Sequence, residues 1–243
     1  NMRGEKFSYP NNETLRGHDV VEEIKAQLET ICPQTVSCAD LLAVAARDSV
    51  VRLGGPSWTV LLGRRDSKWA SFDDANANMP STHANYSELV SDFQSKGLSV
   101  KDLIVLSGAH TVGQSRCASV YLRLRFSPQP IEANLLASLK EKCPGTWGGP
   151  SEQDLFPMDE TPDSFDTAYF ENLMSYKGVL FTDQMLYGSG NSTTDFVIKD
   201  YAEEVADFFG DFGISMVKMG NISVLTETEG EIRKICSRVN TQV

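Results

Sequence analysis

His110 follows Ser107, Gly108 and Ala109, precedes Thr111, and closes an apolar run made of Leu103, Ile104, Val105 and Leu106. An imidazole in that setting can ligate a cofactor metal, or it can be a core histidine whose nitrogens are satisfied by neighbours. The small residues before it leave room for something flat and bulky to approach the backbone. A second group of oxygens lies in DETPDSFDTAYFENL, residues 159 to 173. Closely spaced Asp and Thr oxygens suit a hard cation such as calcium. The same residue types also begin ordinary helices, so both readings stand at this level.

The elements that must position these groups read as helices. Ser99 with Asp102 three residues on forms a capping box ahead of the run that ends at His110. Residues 18 to 31 carry Val20, Ile24, Leu28 and Ile31 on one stripe. Residues 37 to 53 are apolar on nearly every side, which predicts a helix buried all round, stopped by Gly54, Gly55 and Pro56. Residues 86 to 96 form another amphipathic helix that Gly97 ends. Val197, Tyr201, Val205, Phe208 and Phe212 repeat at helical spacing and predict one long helix with an aromatic core stripe. Between these, Arg64, Arg65 and Asp66 read as a structural ion-pair knot in an irregular stretch. The fold class is all-α, with short strands at most, in one domain spanning residues 1 to 243.

The net charge of −11 argues against nucleic acid or anionic membranes as the main partner. No apolar run approaches the ~20 residues that span a bilayer. Five cysteines, Cys32, Cys38, Cys117, Cys143 and Cys236, leave one over if the rest pair. Sequons at Asn12, Asn85, Asn191 and Asn221 point to a secreted glycoprotein, whereas free buried thiols would fit a cytosolic one.

The word LSGAHTVG around His110 resembles the proximal haem-ligand motif of the secreted plant haem peroxidases, the class III family. CPQTVSCAD, AARDSV, GGPSW and LGRRDS in succession resemble that family's signature too, and the likeness runs from Glu5 to Asn240. It implies haem b with His110 as the iron's axial ligand and Asp183 as the carboxylate behind the imidazole. It implies a calcium site made by Thr111, Asp159, Thr161, Asp166 and the carbonyl of Ser164. Asp159 stands two residues before Thr161 where the family commonly has three, so the loop must adjust or that ligand weakens. The resemblance pairs Cys38 with Cys236 and Cys117 with Cys143, and leaves Cys32 unpaired. Pro80 would line the opening for aromatic donors. Thr82 replaces a second proline the family often has, and Ser119 an aromatic residue, so donor preference is expected to differ.

Glu5 and Asn11 fall at the family's positions for distal support. The distal histidine and arginine themselves lie ahead of that segment in the family and have no counterpart in these residues; His18 and His83 are not substitutes. The resemblance therefore implies the haem-peroxidase helical fold with a complete proximal lobe and a distal lobe partly missing. The implied activity is hydrogen-peroxide-dependent one-electron oxidation of phenolic donors through a ferryl haem intermediate, severely reduced in this chain as it stands. The distal calcium ligands are absent as well. The alternative is a non-catalytic, calcium-stabilised secreted glycoprotein built on the same scaffold. Either way the chain is expected to be a monomer outside the cytosol, in the extracellular space, cell wall or vacuole.

Overall fold

The computed structural model describes residues 4–12, 14–144, 149 and 151–240. Among them the helices are α1 (His18–Ile31), α2 (Cys38–Arg52), α3 (Phe72–Asn78), α4 (Tyr86–Ser95), α5 (Val100–Ser107), α6 (Cys117–Phe126), α7 (Ala133–Lys142), α8 (Ala168–Met174), α9 (Phe181–Gln184), α10 (Ser192–Glu203) and α11 (Val205–Met219). Two three-residue strands, β1 (Gln114–Arg116) and β2 (Leu155–Pro157), pair antiparallel with Ser115 opposite Phe156. The architecture is all-α, as the periodicity predicts. The chain divides into two compact units, one of residues 1–49, 57–79 and 217–243, the other of residues 50–56 and 80–216.

In the first unit the Cys38–Cys236 disulfide links the start of α2 to the C-terminal segment. Asp66, buried beside it, accepts from the backbone N–H groups of Cys38 (3.0 Å), Ala39 (2.9 Å) and Arg233 (2.9 Å). The expected Arg–Asp knot exists in a different pairing: Arg64 meets Asp40 at 3.2 Å, and Asp66 serves the backbone. Glu22 adds a second tie by accepting from the amides of Cys236 and Ser237.

In this unit the apolar stripe of α1 goes largely uncovered and the expected all-round burial of α2 fails. On α1, Val20 is 54%, Ile24 40% and Ile31 80% exposed, while Lys25 is fully buried. The Lys25 ammonium donates to Glu29 at 2.5 Å and to the Val36 carbonyl at 2.6 Å, and these bonds set the helix rotation that a stripe of apolar residues cannot set alone. Likewise α2 is not buried all round, since Leu42 and Val51 are exposed. Ile24 and Leu28 of α1 with Leu41 and Val44 of α2 line a groove of about 640 Å³.

The second unit has the dense core. Leu103, Ile104 and Val105 of α5 are completely buried behind the expected Ser99–Asp102 capping box, and Asp102 also accepts from Ser215 of α11 at 2.6 Å. Phe165, Phe170, Tyr201, Phe208 and Phe212 interlock with ring centroids 4.8 to 5.9 Å apart. The single helix expected from Val197 to Phe212 is two, because Glu204 leaves helical geometry at φ −118°, ψ 82°. Tyr201, Phe208 and Phe212 still share the core, but Val205 starts α11 half exposed.

The Cys117–Cys143 disulfide sits in an apolar cluster with Val120, Leu139 and Phe156. Next to it Arg123 is buried, and its guanidinium donates to the carbonyls of Gly178, Gln129 and Pro130 and to the Ser127 hydroxyl. Burial lowers its pKa to about 10, which leaves it charged at neutral pH.

Asp66→Ala would strand three N–H groups that a buried carboxylate now satisfies. The expected loss is about 3 to 5 kcal/mol in urea unfolding, with Asp66→Asn losing less because an amide oxygen still accepts. A loss below about 1 kcal/mol in the alanine variant would contradict the role assigned to Asp66.

Candidate functional site

α5 ends at Ser107 and the chain tightens into a 3-10 turn, Gly108–Thr111, that carries His110. A Cβ on Gly108 would lie 2.7 Å from Phe208 and 2.8 Å from Phe170, so only glycine lets this turn rest on the aromatic cluster. The turn presents the imidazole rather than burying it: the His110 side chain is 46% exposed.

His110 Nδ1 lies 2.9 Å from Asp183 Oδ1, whose side chain is 3% exposed at the centre of α9. The carboxylate charge raises the imidazole pKa and selects Nδ1 as the protonated nitrogen, which leaves Nε2 as the ring atom available to a ligand. The Tyr169 hydroxyl, from α8, donates to the same Oδ1 at 3.2 Å. The other oxygen, Asp183 Oδ2, is buried and has no hydrogen-bond partner among the described residues. Burial and the neighbouring carboxylate hold the Tyr169 phenol well above its ordinary value, so it remains a donor.

One residue on, the Thr111 hydroxyl is fully buried and lies between two carboxylates, 2.7 Å from Asp159 Oδ2 and 3.0 Å from Asp166 Oδ1. Asp159 Oδ1 accepts from the Thr161 amide at 2.8 Å and from its hydroxyl at 3.4 Å. Ser164 is held in the same loop by its amide bond to the Thr161 carbonyl. Burial, and further the charge of Asp166, raise the Asp159 pKa against the opposing hydrogen bonds from Thr111 and Thr161. Asp159 thus reaches the cluster despite the shortened spacing to Thr161. Among the described residues no three His, Cys, Asp or Glu side chains converge as a metal site, so a cation here would rest on two carboxylates plus hydroxyl and carbonyl oxygens.

The remaining candidates sit elsewhere. Glu5 and Asn11 belong to the first unit, where the Asn11 side-chain amide donates to the Glu5 carbonyl and the Glu5 carboxylate accepts from the Ser71 amide. Pro80 is exposed in the loop after α3. Cys32 is a free, half-buried thiol. The residue that sequence reasoning passed over is Tyr169. Nothing in the spacing of YFENL marks its hydroxyl as a partner for a carboxylate fourteen residues later.

Comparison with known proteins agrees on one family. A family model described as Peroxidase matches residues 1–204. "Peroxidase 2" of Oryza sativa subsp. indica is 49% identical over 237 residues, covering 97% of this chain and 74% of that protein. "Peroxidase 4" of Vitis vinifera is 47% identical over 238 residues, covering 98% and 73%. "Peroxidase 49" of Arabidopsis thaliana is 47% identical over 244 residues, covering 98% and 72%.

Gly108→Ala is expected to destabilise the chain by about 1 to 3 kcal/mol, because the new methyl meets two buried rings that have no room to retreat. Thermal unfolding would check it, with Gly113→Ala, where a Cβ meets nothing within 4 Å, separating overpacking from backbone strain at a positive φ of 87°.

Proposed function

Because this chain belongs to the class III plant peroxidase family, oxidoreductases that use hydrogen peroxide, we propose that His110 is the axial ligand of a haem b iron and that the site serves one-electron oxidation of small phenolic donors. The observation that carries the reading is the 2.9 Å bond from His110 Nδ1 to a buried carboxylate, which fixes the ring and turns Nε2 outward from its partner. The residues fit the group. A half-exposed imidazole whose other nitrogen is held by a buried carboxylate is the arrangement that strengthens a histidine ligand. When bound, haem supplies the redox chemistry with peroxide. Asp183 holds the Nδ1 proton in place and keeps the ring from rotating, and Gly108 sets the turn against the Phe cluster.

Calcium belongs to the same reading. Thr111, Asp159, Thr161 and Asp166, with the Ser164 carbonyl, are the oxygens proposed to hold the ion, and Thr111 follows His110 directly in the chain. A cation among them neutralises Asp159 and Asp166 and stiffens the turn that presents the imidazole. The secretory pathway is consistent with the two disulfides and the absence, among the described residues, of a helix long and apolar enough to cross a membrane. The four sequons support glycosylation there, and Pro80 is the proposed rim residue for donors.

The family's distal histidine and arginine have no counterpart among these 243 residues, and peroxide cleavage needs an acid–base group and a cation on that side. We therefore propose severely reduced turnover for these residues alone.

Haem titration with calcium present, followed at the Soret band, is expected to give saturable one-site binding that His110→Ala abolishes or weakens at least about tenfold, the loss of one strong ligand. Hydrogen peroxide with a phenolic donor should then turn over at a rate close to that of free haem. Binding untouched by His110→Ala contradicts the haem reading, and brisk turnover contradicts the reduced-activity reading. Chelating calcium is expected to lower the midpoint of thermal unfolding and to raise the accessibility of the second unit to protease. An unchanged midpoint removes calcium from the account.

A further inference from the structure

Asp183 presents an unequal carboxylate to its surroundings. Oδ1 takes two donors, His110 Nδ1 at 2.9 Å and the Tyr169 hydroxyl at 3.2 Å, while the buried Oδ2 takes none among the described residues. Buried carboxylate oxygens ordinarily share their donors, because an unpartnered one forfeits a charge-assisted bond. Here both donors draw on the lone pairs of one atom, so whatever the phenol takes the imidazole does not receive. Tyr169 cannot drift away from this position. It is 4% exposed, and its ring meets Phe170 at 5.1 Å and the His110 ring at 6.4 Å, edge to face.

We propose that Tyr169 is a positioning residue that sets how strongly Asp183 draws on the His110 Nδ1 proton, and through it how strongly Nε2 donates to a bound iron. The proposal rests on the haem reading of His110 for its second half only. Removing the phenol hydroxyl leaves His110 as the sole donor to Oδ1, so the Nδ1 hydrogen bond shortens and the ring gains imidazolate character. A phenol that donates more strongly does the reverse. Stronger donation from Nε2 stabilises the ferric state over the ferrous one and lowers the reduction potential.

Tyr169→Phe keeps the ring and its packing and deletes one oxygen, and 3-fluorotyrosine placed at position 169 keeps every atom of the fold while making the phenol a stronger donor. In the haem-free chain, nitrogen–proton NMR of the histidines reads the Nδ1 proton of His110 directly. The expected result is a downfield shift in Tyr169→Phe and an upfield shift with the fluorotyrosine. In the haem-loaded chain the reduction potential is expected to fall in the first and rise in the second. A role confined to packing would move the melting temperature of Tyr169→Phe without either pair of opposed shifts. An Nδ1 proton that stays put in both folded variants overturns the proposal. Opposed proton shifts with unchanged potentials overturn the link to iron. If the parent chain fails to take haem at His110, the haem reading and that link fall together, and the proton shifts then report on the hydrogen bond alone.

Discussion

The hydrogen bond between His110 and Asp183 is the contact on which the proposed site depends, and much of the second unit works to hold its two ends. On the carboxylate side, α9 is one turn long and has little stability of its own. It is pinned by the residue next to Asp183: Gln184, fully buried, accepts from the Gly178 amide and donates to the Leu173 carbonyl, each at 3.0 Å. The Gly178 carbonyl in turn receives the buried Arg123 guanidinium at 3.1 Å. A charged side chain spent on carbonyls is costly to bury, and here it orders the loop that leads into the carboxylate.

On the imidazole side the turn is held from both directions. Behind it, Gly108 lies against Phe170 and Phe208 with no space for a methyl group. Ahead of it, Thr111 joins Asp159 and Asp166, Gly113 donates to the Pro162 carbonyl at 2.7 Å, and Met158 donates to the Gly113 carbonyl at 3.1 Å. The oxygen cluster and the β1–β2 pair are thus one continuous anchor directly after His110. Two carboxylates held this close to one hydroxyl repel each other unless a cation or a proton intervenes, which ties the position of the histidine to the charge state of its neighbours.

Much of this was legible in the residues. The Ser99–Asp102 capping box and the two disulfide pairings lie where motif and resemblance place them, while the helix expected to run to His110 ends at Ser107 and gives way to a 3-10 turn. The failures have a common cause, since periodicity says that a face is apolar and not what covers it. The α1 stripe is open because Lys25, invisible as a core residue, takes the buried position. The α10–α11 break at Glu204 keeps the aromatic residues together in space while interrupting their helix, so the spacing survives and the element does not. Arg64 and Asp66 are neighbours that serve different partners, because a carboxylate facing three free amides gains more from them than from one cation. Tyr169 left no trace at all, for a hydroxyl finds its partner through tertiary packing rather than through sequence spacing.

The most direct measurement is resonance Raman spectroscopy of the ferrous haem-loaded chain, comparing the parent with Asp183→Asn. An iron–histidine stretching band is expected in the parent and falls to lower frequency in the variant, since an amide oxygen draws less on the Nδ1 proton than a carboxylate does. A parent without such a band, or a band that Asp183→Asn leaves unmoved, would contradict the claim that this buried carboxylate and His110 act as one unit.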